Sequence, residues 1–168
     1  HGDAMGLKIN TGPVMEAAVK QAQDTQAEAG RWKAERGAAR RAFLDADAMV
    51  KWIPPNGFTA KVHHMEAKTG GCFKMSFTNF SSGHSHSFGG EYLELVPFER
   101  IRYTDKFDDP NLPGEMHVTV SLRQVSCGTE LNIVQEGVPG VIPAEACYLG
   151  WQESLTLLAK LVEAEIPG

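Results

Sequence analysis

The chain has 168 residues, with 16 Lys and Arg against 21 Asp and Glu, for a formal net charge of −5. That length fits one domain with a sizeable core, or one domain with a modest extension, and an apolar content of 42% with 22% charged residues excludes wholesale disorder. No apolar run approaches the roughly 18–20 residues needed to span a bilayer, and an acidic balance without a long basic stretch argues against tracking nucleic-acid phosphates. No membrane and no nucleic-acid partner are therefore expected.

Cys72, Cys127 and Cys147 are odd in number, widely spaced and free of any CxxC pair. They predict neither a disulfide framework nor a zinc ribbon, but three buried or half-buried thiols in a reducing compartment. The opening residues 1–5 lack the basic and apolar regions of a signal peptide and read as a tag remnant, which makes the expected location cytoplasmic.

Residues 14–29 are rich in Ala, Gln and Glu, good helix formers, although their apolar stripe of Val14, Ala18 and Ala22 is thin. A second helical stretch runs from about 33 or 38 to 52 and carries Phe43, Leu44, Met49, Val50 and Trp52. Pro54-Pro55-Asn56-Gly57 ends it, because proline cannot continue the hydrogen-bond ladder and Asn-Gly favours a turn.

From Phe58 the apolar period changes to two. Phe73, Met75 and Phe77 share one strand face, and a strand across Phe88 is closed by Pro97. Ile101, Tyr103 and Phe107 alternate with Arg102, Thr104 and Lys106. Met116, Val118, Val120 and Leu122 give the cleanest alternation, and Leu131 and Ile133 mark the last strand. Six consecutive strands with short turns predict an antiparallel meander, with Gly70-Gly71 and Gly89-Gly90 where a strongly curved sheet needs bends or bulges. A long helix from about 144 to 165 follows, whose stripe of Tyr148, Trp151, Leu155, Leu158 and Val162, widened by Leu161, must lie against the concave face of that sheet.

This order of elements resembles the helix-grip, or START-like, architecture: an α+β fold in which a curved antiparallel sheet of about six or seven strands wraps around a long C-terminal helix. The segments Trp52-Ile53-Pro54-Pro55-Asn56-Gly57, Gly70-Gly71, Gly90-Glu91-Tyr92-Leu93-Glu94-Leu95-Val96-Pro97, Val118-Thr119-Val120-Ser121-Leu122, Gly128-Thr129-Glu130-Leu131 and Gly150-Trp151 occur in the succession seen in one branch. That succession is similar to the single-domain bacterial relatives of the activator of the heat-shock-protein-90 ATPase. The resemblance implies a START-like domain over residues 31–168, preceded by the tag remnant and an atypical extension over 1–30. The family usually opens with a β-branched strand. Residues 31–41 contain none, and Leu7-Lys8-Ile9 is the candidate for a short first strand. Eukaryotic activators carry a further domain that grips the chaperone, for which this length leaves no room, so chaperone activation is not carried over.

A sheet wrapped around a helix leaves a cavity wherever the helix stripe does not fill the concave face. The large or adaptable liners expected are Trp52, Phe73, Met75, Phe77, Phe88, Tyr92, Tyr103, Phe107, Met116, Trp151, Leu155 and Leu158. His84 and His86 would share a strand face, a spacing that some metal sites use, but they sit in a polar stretch read as a solvated turn, and no metal or cofactor is assigned. Gly83-His84-Ser85-His86-Ser87 lacks the final glycine of a nucleophile elbow and assigns no catalytic residue. The expected function is non-enzymatic binding of a small hydrophobic molecule. A cyclase- or hydratase-like enzyme with Tyr92, Tyr103 and Glu94 as proton-moving groups is the first alternative, a chaperone-interaction module the second, and a homodimer is left open.

Overall fold

Alternation of apolar and polar side chains lets a strand bury one face and wet the other, and a one-residue slip would reverse them, so the pattern after Asn56 pins its own pairing. The computed structural model describes residues 6–10, 37–97, 99–125 and 128–163. The strands are β1 (Gly6–Asn10), β2 (Phe58–Met65), β3 (Cys72–Asn79), β4 (Ser85–Val96), β5 (Arg100–Phe107), β6 (Met116–Val125) and β7 (Gly128–Glu136). They form one seven-stranded antiparallel sheet in the order β1-β7-β6-β5-β4-β3-β2. The meander is thus as the alternation implies, and the short strand around Leu7 pairs with β7 at the sheet edge, Ile9 opposite Ile133. The expected helix over 14–29 lies outside the described residues, as does Cys127.

At the double glycine of β4 the neighbouring strands come close. A Cβ at Gly89 would lie 2.3 Å from the Phe73 carbonyl oxygen, and one at Gly90 only 1.9 Å from that of Thr104. Only glycine admits such an approach of neighbouring backbones. Beside it, the Glu91 N–H donates to the Thr104 hydroxyl at 2.9 Å, so a side chain satisfies a group that the coiled ladder leaves open.

The helical stretch ending at Trp52 is two helices rather than one: α1 over residues 37–44 and α2 (Ala46–Trp52), divided at Asp45. Asp45 is extended, and its carboxylate accepts the N–H groups of Asp47 and Ala48 at 2.9 and 3.2 Å. An aspartate in the middle of a helix pattern offers the backbone this competing arrangement, and here the cap wins. The break folds α2 back, so that Trp52 packs edge-on against Phe43 with ring centroids 4.6 Å apart and donates its indole N–H to the Ala42 carbonyl at 2.9 Å.

The last helix, α3 (Ala144–Glu163), lies across the inner face of the sheet. Leu155, Leu158 and Ala159 join Leu131, Ile133, Val118 and Val120 in one continuous core with Phe43 and Trp52. The stripe is turned slightly from its expected phase: Tyr148 is 44% exposed and Leu161 41%. With Trp151, Leu155 and Leu158 pointing inward at 100° per residue, the inward position one turn earlier is Cys147, and Tyr148 turns towards solvent. Two hydrogen bonds fix the helix against the end of α2. The Ser154 hydroxyl donates to the Ile53 carbonyl at 2.6 Å, and the Asn56 N–H donates to Glu153 at 3.1 Å. No helix among the described residues is long and apolar enough to cross a membrane.

Candidate functional site: a hollow beneath the C-terminal helix

Between the N-terminal half of α3 and the concave face of the sheet is a cavity of about 490 Å³. Its size falls within the range of small-molecule sites. Nine of the expected liners form its wall: Phe73, Met75, Phe77, Phe88, Tyr92, Tyr103, Phe107, Met116 and Trp151. Trp52, Leu155 and Leu158 do not; all three are buried in the solid core alongside.

The reason for the hollow is the choice of small residues on α3. Ala146, Cys147 and Gly150 face it, and a Cβ at Gly150 would meet no atom within 4 Å. Ile53 and Pro55, after α2, and Ile142, before α3, complete the rim on that side, and exposed Ala146 brings the wall to the surface.

Two aromatic groups make the floor. Phe77 and Phe88 meet edge-on at 4.8 Å, with Phe58 and Phe107 beside them and His86 among all four at 5.8–6.3 Å. Phe73 packs against Tyr92 at 5.5 Å and Tyr103 at 5.6 Å. His86 therefore belongs to a strand and to the cavity wall, not to a solvated turn. Strand β4 begins at Ser85, which puts His86 in phase with Phe88. Burial holds its imidazole below its ordinary value, opposed by the charge of Asp109. His84 is exposed and precedes the strand, and among the described residues no three His, Cys, Asp or Glu side chains gather as a metal site would require.

The roof is polar and tied down. The Trp151 indole N–H donates to Gln135 Oε1 at 3.0 Å, and Gln135 Nε2 donates to the Met116 sulfur at 3.4 Å. The indole is thereby held at the edge of the hollow instead of collapsing into it.

One group in the wall stands apart. Asp105 Oδ1 is shielded from solvent and has no hydrogen-bond partner among the described residues. Across the sheet it pairs with Met116 on β6, and one step on from the Gly89–Lys106 pair it faces Gly90 on β4. Neither neighbour has a side-chain donor. Burial pushes the Asp105 carboxyl up to about 7, opposed by a backbone hydrogen bond from Lys106. Burial also raises both tyrosines, Tyr92 to about 12 and Tyr103 well above its ordinary value with the Asp105 charge adding to the effect.

Among the proton-moving candidates, Tyr92 and Tyr103 reach the cavity but Glu94 does not. A bulge between Tyr92 and Glu94 shifts the pairing with β5, so Leu95 takes the inward place opposite Ile101 and Glu94 pairs with Arg102. There it accepts from Arg100 Nε at 2.7 Å, which holds its carboxyl below the usual range. Cys147 is half-buried on the wall, its thiol pushed up by burial; Cys72, expected to be at least half-buried, is exposed because β3 turns it away from the core.

The model of one protein family, the Activator of Hsp90 ATPase homolog 1-like proteins, matches residues 34–163. The chain belongs to this family. Among solved structures, protein CV1439 of Chromobacterium violaceum is 58% identical over 77% of this chain and 90% of that one, with a TM-score of 0.76. Protein NE0264 of Nitrosomonas europaea, 16% identical over 96% of each chain, has a TM-score of 0.70. An AHSA1-like protein of Aeromonas hydrophila is 17% identical over 95% of this chain and 92% of that one, with a TM-score of 0.65. These last two show the fold alone, and it is the helix-grip fold of the family. No curated protein matches the chain.

Within this family fold, the liners missed by the alternation divide into two kinds. Asp105 lies in the inward phase between Tyr103 and Phe107, and Gln135 in the inward phase after Ile133, so both were readable as polar residues on an apolar face. Phe43, Met49, Phe58 and the small residues of α3 are brought to the hollow only by packing between distant elements.

Proposed function

We propose that this protein binds a small, predominantly apolar molecule in the hollow between the sheet and α3. The observation that carries this reading is the cavity itself: about 490 Å³ of space, walled largely by aromatic rings and methionine and left open by Ala146, Cys147 and Gly150. Rigid aromatic surfaces supply large contact area at small entropic cost, and the three methionines Met49, Met75 and Met116 adapt to shape. A hollow of this size weakens packing, so a ligand that fills it adds stability by mass action.

The test uses N-phenyl-1-naphthylamine, a neutral apolar fluorophore. Saturable fluorescence enhancement and a raised melting temperature are expected with the wild-type chain, and both are lost in Gly150→Leu, whose side chain enters the open space. A wild-type protein that neither enhances the probe nor gains stability with it counts against the reading, as does a Gly150→Leu variant that binds as before.

A second reading, a cyclase- or hydratase-like enzyme working in the same cavity, is favoured by the placement of Asp105. A shielded carboxyl titrating near neutrality can both take and return a proton. Exchange of the α-protons of 2-acetylnaphthalene in heavy water reports this chemistry. The reading requires acceleration by the wild type that Asp105→Asn removes while leaving probe binding intact.

A further inference from the structure

We propose that the ligand is an apolar organic ammonium, with Asp105 as its anchoring carboxylate and the neighbouring aromatic rings receiving the charged head. This rests on the binding reading above and narrows it to one chemical class. Of the described residues lining the cavity, none is Lys or Arg, and burial disfavours the charged form of the one histidine among them, His86. Among the described wall residues the one carboxyl is Asp105, whose Oδ1 is shielded and unpartnered while its strand neighbours Met116 and Gly90 offer no side-chain donor.

Two other polar side chains of the wall are already engaged, Gln135 by Trp151 and Met116 and Ser154 by the Ile53 carbonyl. The Lys106 backbone hydrogen bond leaves Oδ1 of this carboxylate shielded and unsatisfied, which is costly, and the complement that offsets the cost is a cation with N–H donors. Phe73, Tyr92, Tyr103 and Phe107 line the same wall, and aromatic faces attract a desolvated ammonium. The same arrangement rejects an apolar carboxylate such as a fatty acid, whose charge would meet Asp105 with no lysine or arginine among the described wall residues to offset it.

The titratable groups near Asp105 set the pH dependence. Tyr103 beside it and Tyr92 on β4 are held neutral by burial, and the Cys147 thiol on α3 is raised likewise. Asp105 itself changes charge at about 7, so an ammonium binds best above that pH, and its affinity falls as the carboxylate is protonated below it. Protonation of His86 at lower pH acts in the same direction, and the Asp105→Asn variant, which keeps His86, separates the two.

The experiment compares three ligands of one shape by isothermal titration calorimetry: 2-(1-naphthyl)ethylamine, 2-(1-naphthyl)ethanol and 1-naphthylacetate. Near pH 8 the amine is expected to bind the wild type about tenfold or more tightly than the alcohol, and the acetate to bind weakest. In Asp105→Asn the amine's advantage shrinks to less than about twofold, and in the wild type it shrinks in the same way near pH 5.5. Equal binding of amine and alcohol, or an advantage that survives in Asp105→Asn, overturns the ammonium assignment while leaving the cavity reading intact. Failure of the alcohol and the neutral fluorophore to bind at all overturns the cavity reading, and the assignment with it.

Discussion

The two halves of α3 come from one amphipathic helix and meet the sheet in opposite ways. In the C-terminal half, Leu155 and Leu158 are 2% and 0% exposed and close against the apolar sheet face without a gap. In the N-terminal half, the small residues Ala146, Cys147 and Gly150 face the hollow, and Trp151 is the large residue that lines it, anchored sideways to Gln135. The distance from helix to sheet is set by the packed half and by the bonds of Ser154 and Glu153 to the end of α2. The other half cannot settle closer, so its small residues leave a hollow. A cavity of this kind is therefore a lever effect: rigid packing at one end of a helix holds space open at the other.

The most direct way to break the comparison is at the packed end. Leu158→Ala is expected to cost about 4 kcal/mol, measured by urea denaturation, because it removes a fully buried side chain from a core that cannot close over the space. A cost under about 1 kcal/mol would mean that the two halves are equally slack.

At the hollow end the sign reverses. The Asp105 carboxyl is raised from its ordinary 3.8 to about 7, so the folded state holds its proton more tightly than the unfolded state. Its stabilising contribution is fully present below about 3.8 and is lost as pH rises through about 7. Asp105→Asn, which removes the buried charge, is expected to raise stability near pH 8 by on the order of 3 kcal/mol, with the gain fading as pH falls towards 4. Melting curves of both proteins across that range check it, and a gain that does not depend on pH would remove the carboxylate as its source.

Smaller effects sharpen the picture. Trp151→Phe keeps the ring but loses the donor to Gln135, for an expected loss of about 1 kcal/mol in chemical denaturation. Gly150→Ala adds a Cβ that meets nothing within 4 Å, so it is expected to gain just under 1 kcal/mol from helix propensity alone. A loss at Gly150→Ala would show that the space above the sheet is already filled.

Legibility in the sequence followed the range of the physics. The inward faces of β3, β5 and β6 were readable because alternation is local, and so was the anomaly at Asp105, an acid in the apolar phase between Tyr103 and Phe107. Glu94 misled because a bulge between Tyr92 and Glu94 moves the phase by one residue, and nothing in the residues of β4 alone announces it. His86 misled because the polar serines around it resemble a turn, while its position two residues before Phe88 on a strand carries it into the aromatic floor. Asp45 broke a helix that its flanking apolar residues would have continued, since a cap competes residue by residue with the helical ladder.

Taken alone, the order of residues determined the sequence of strands and helices, the antiparallel meander, the apolar faces of its best strands and the presence of a long final helix to cover them. These follow from propensity and period, which act over a few residues. Tertiary structure alone decided that the helix stands off the sheet at one end, that Trp52, Leu155 and Leu158 are core while Trp151 is wall, and that Asp105 Oδ1 is shielded from water. Each of those depends on distances between elements far apart in the chain, and on the solvent those elements exclude, neither of which any local pattern encodes.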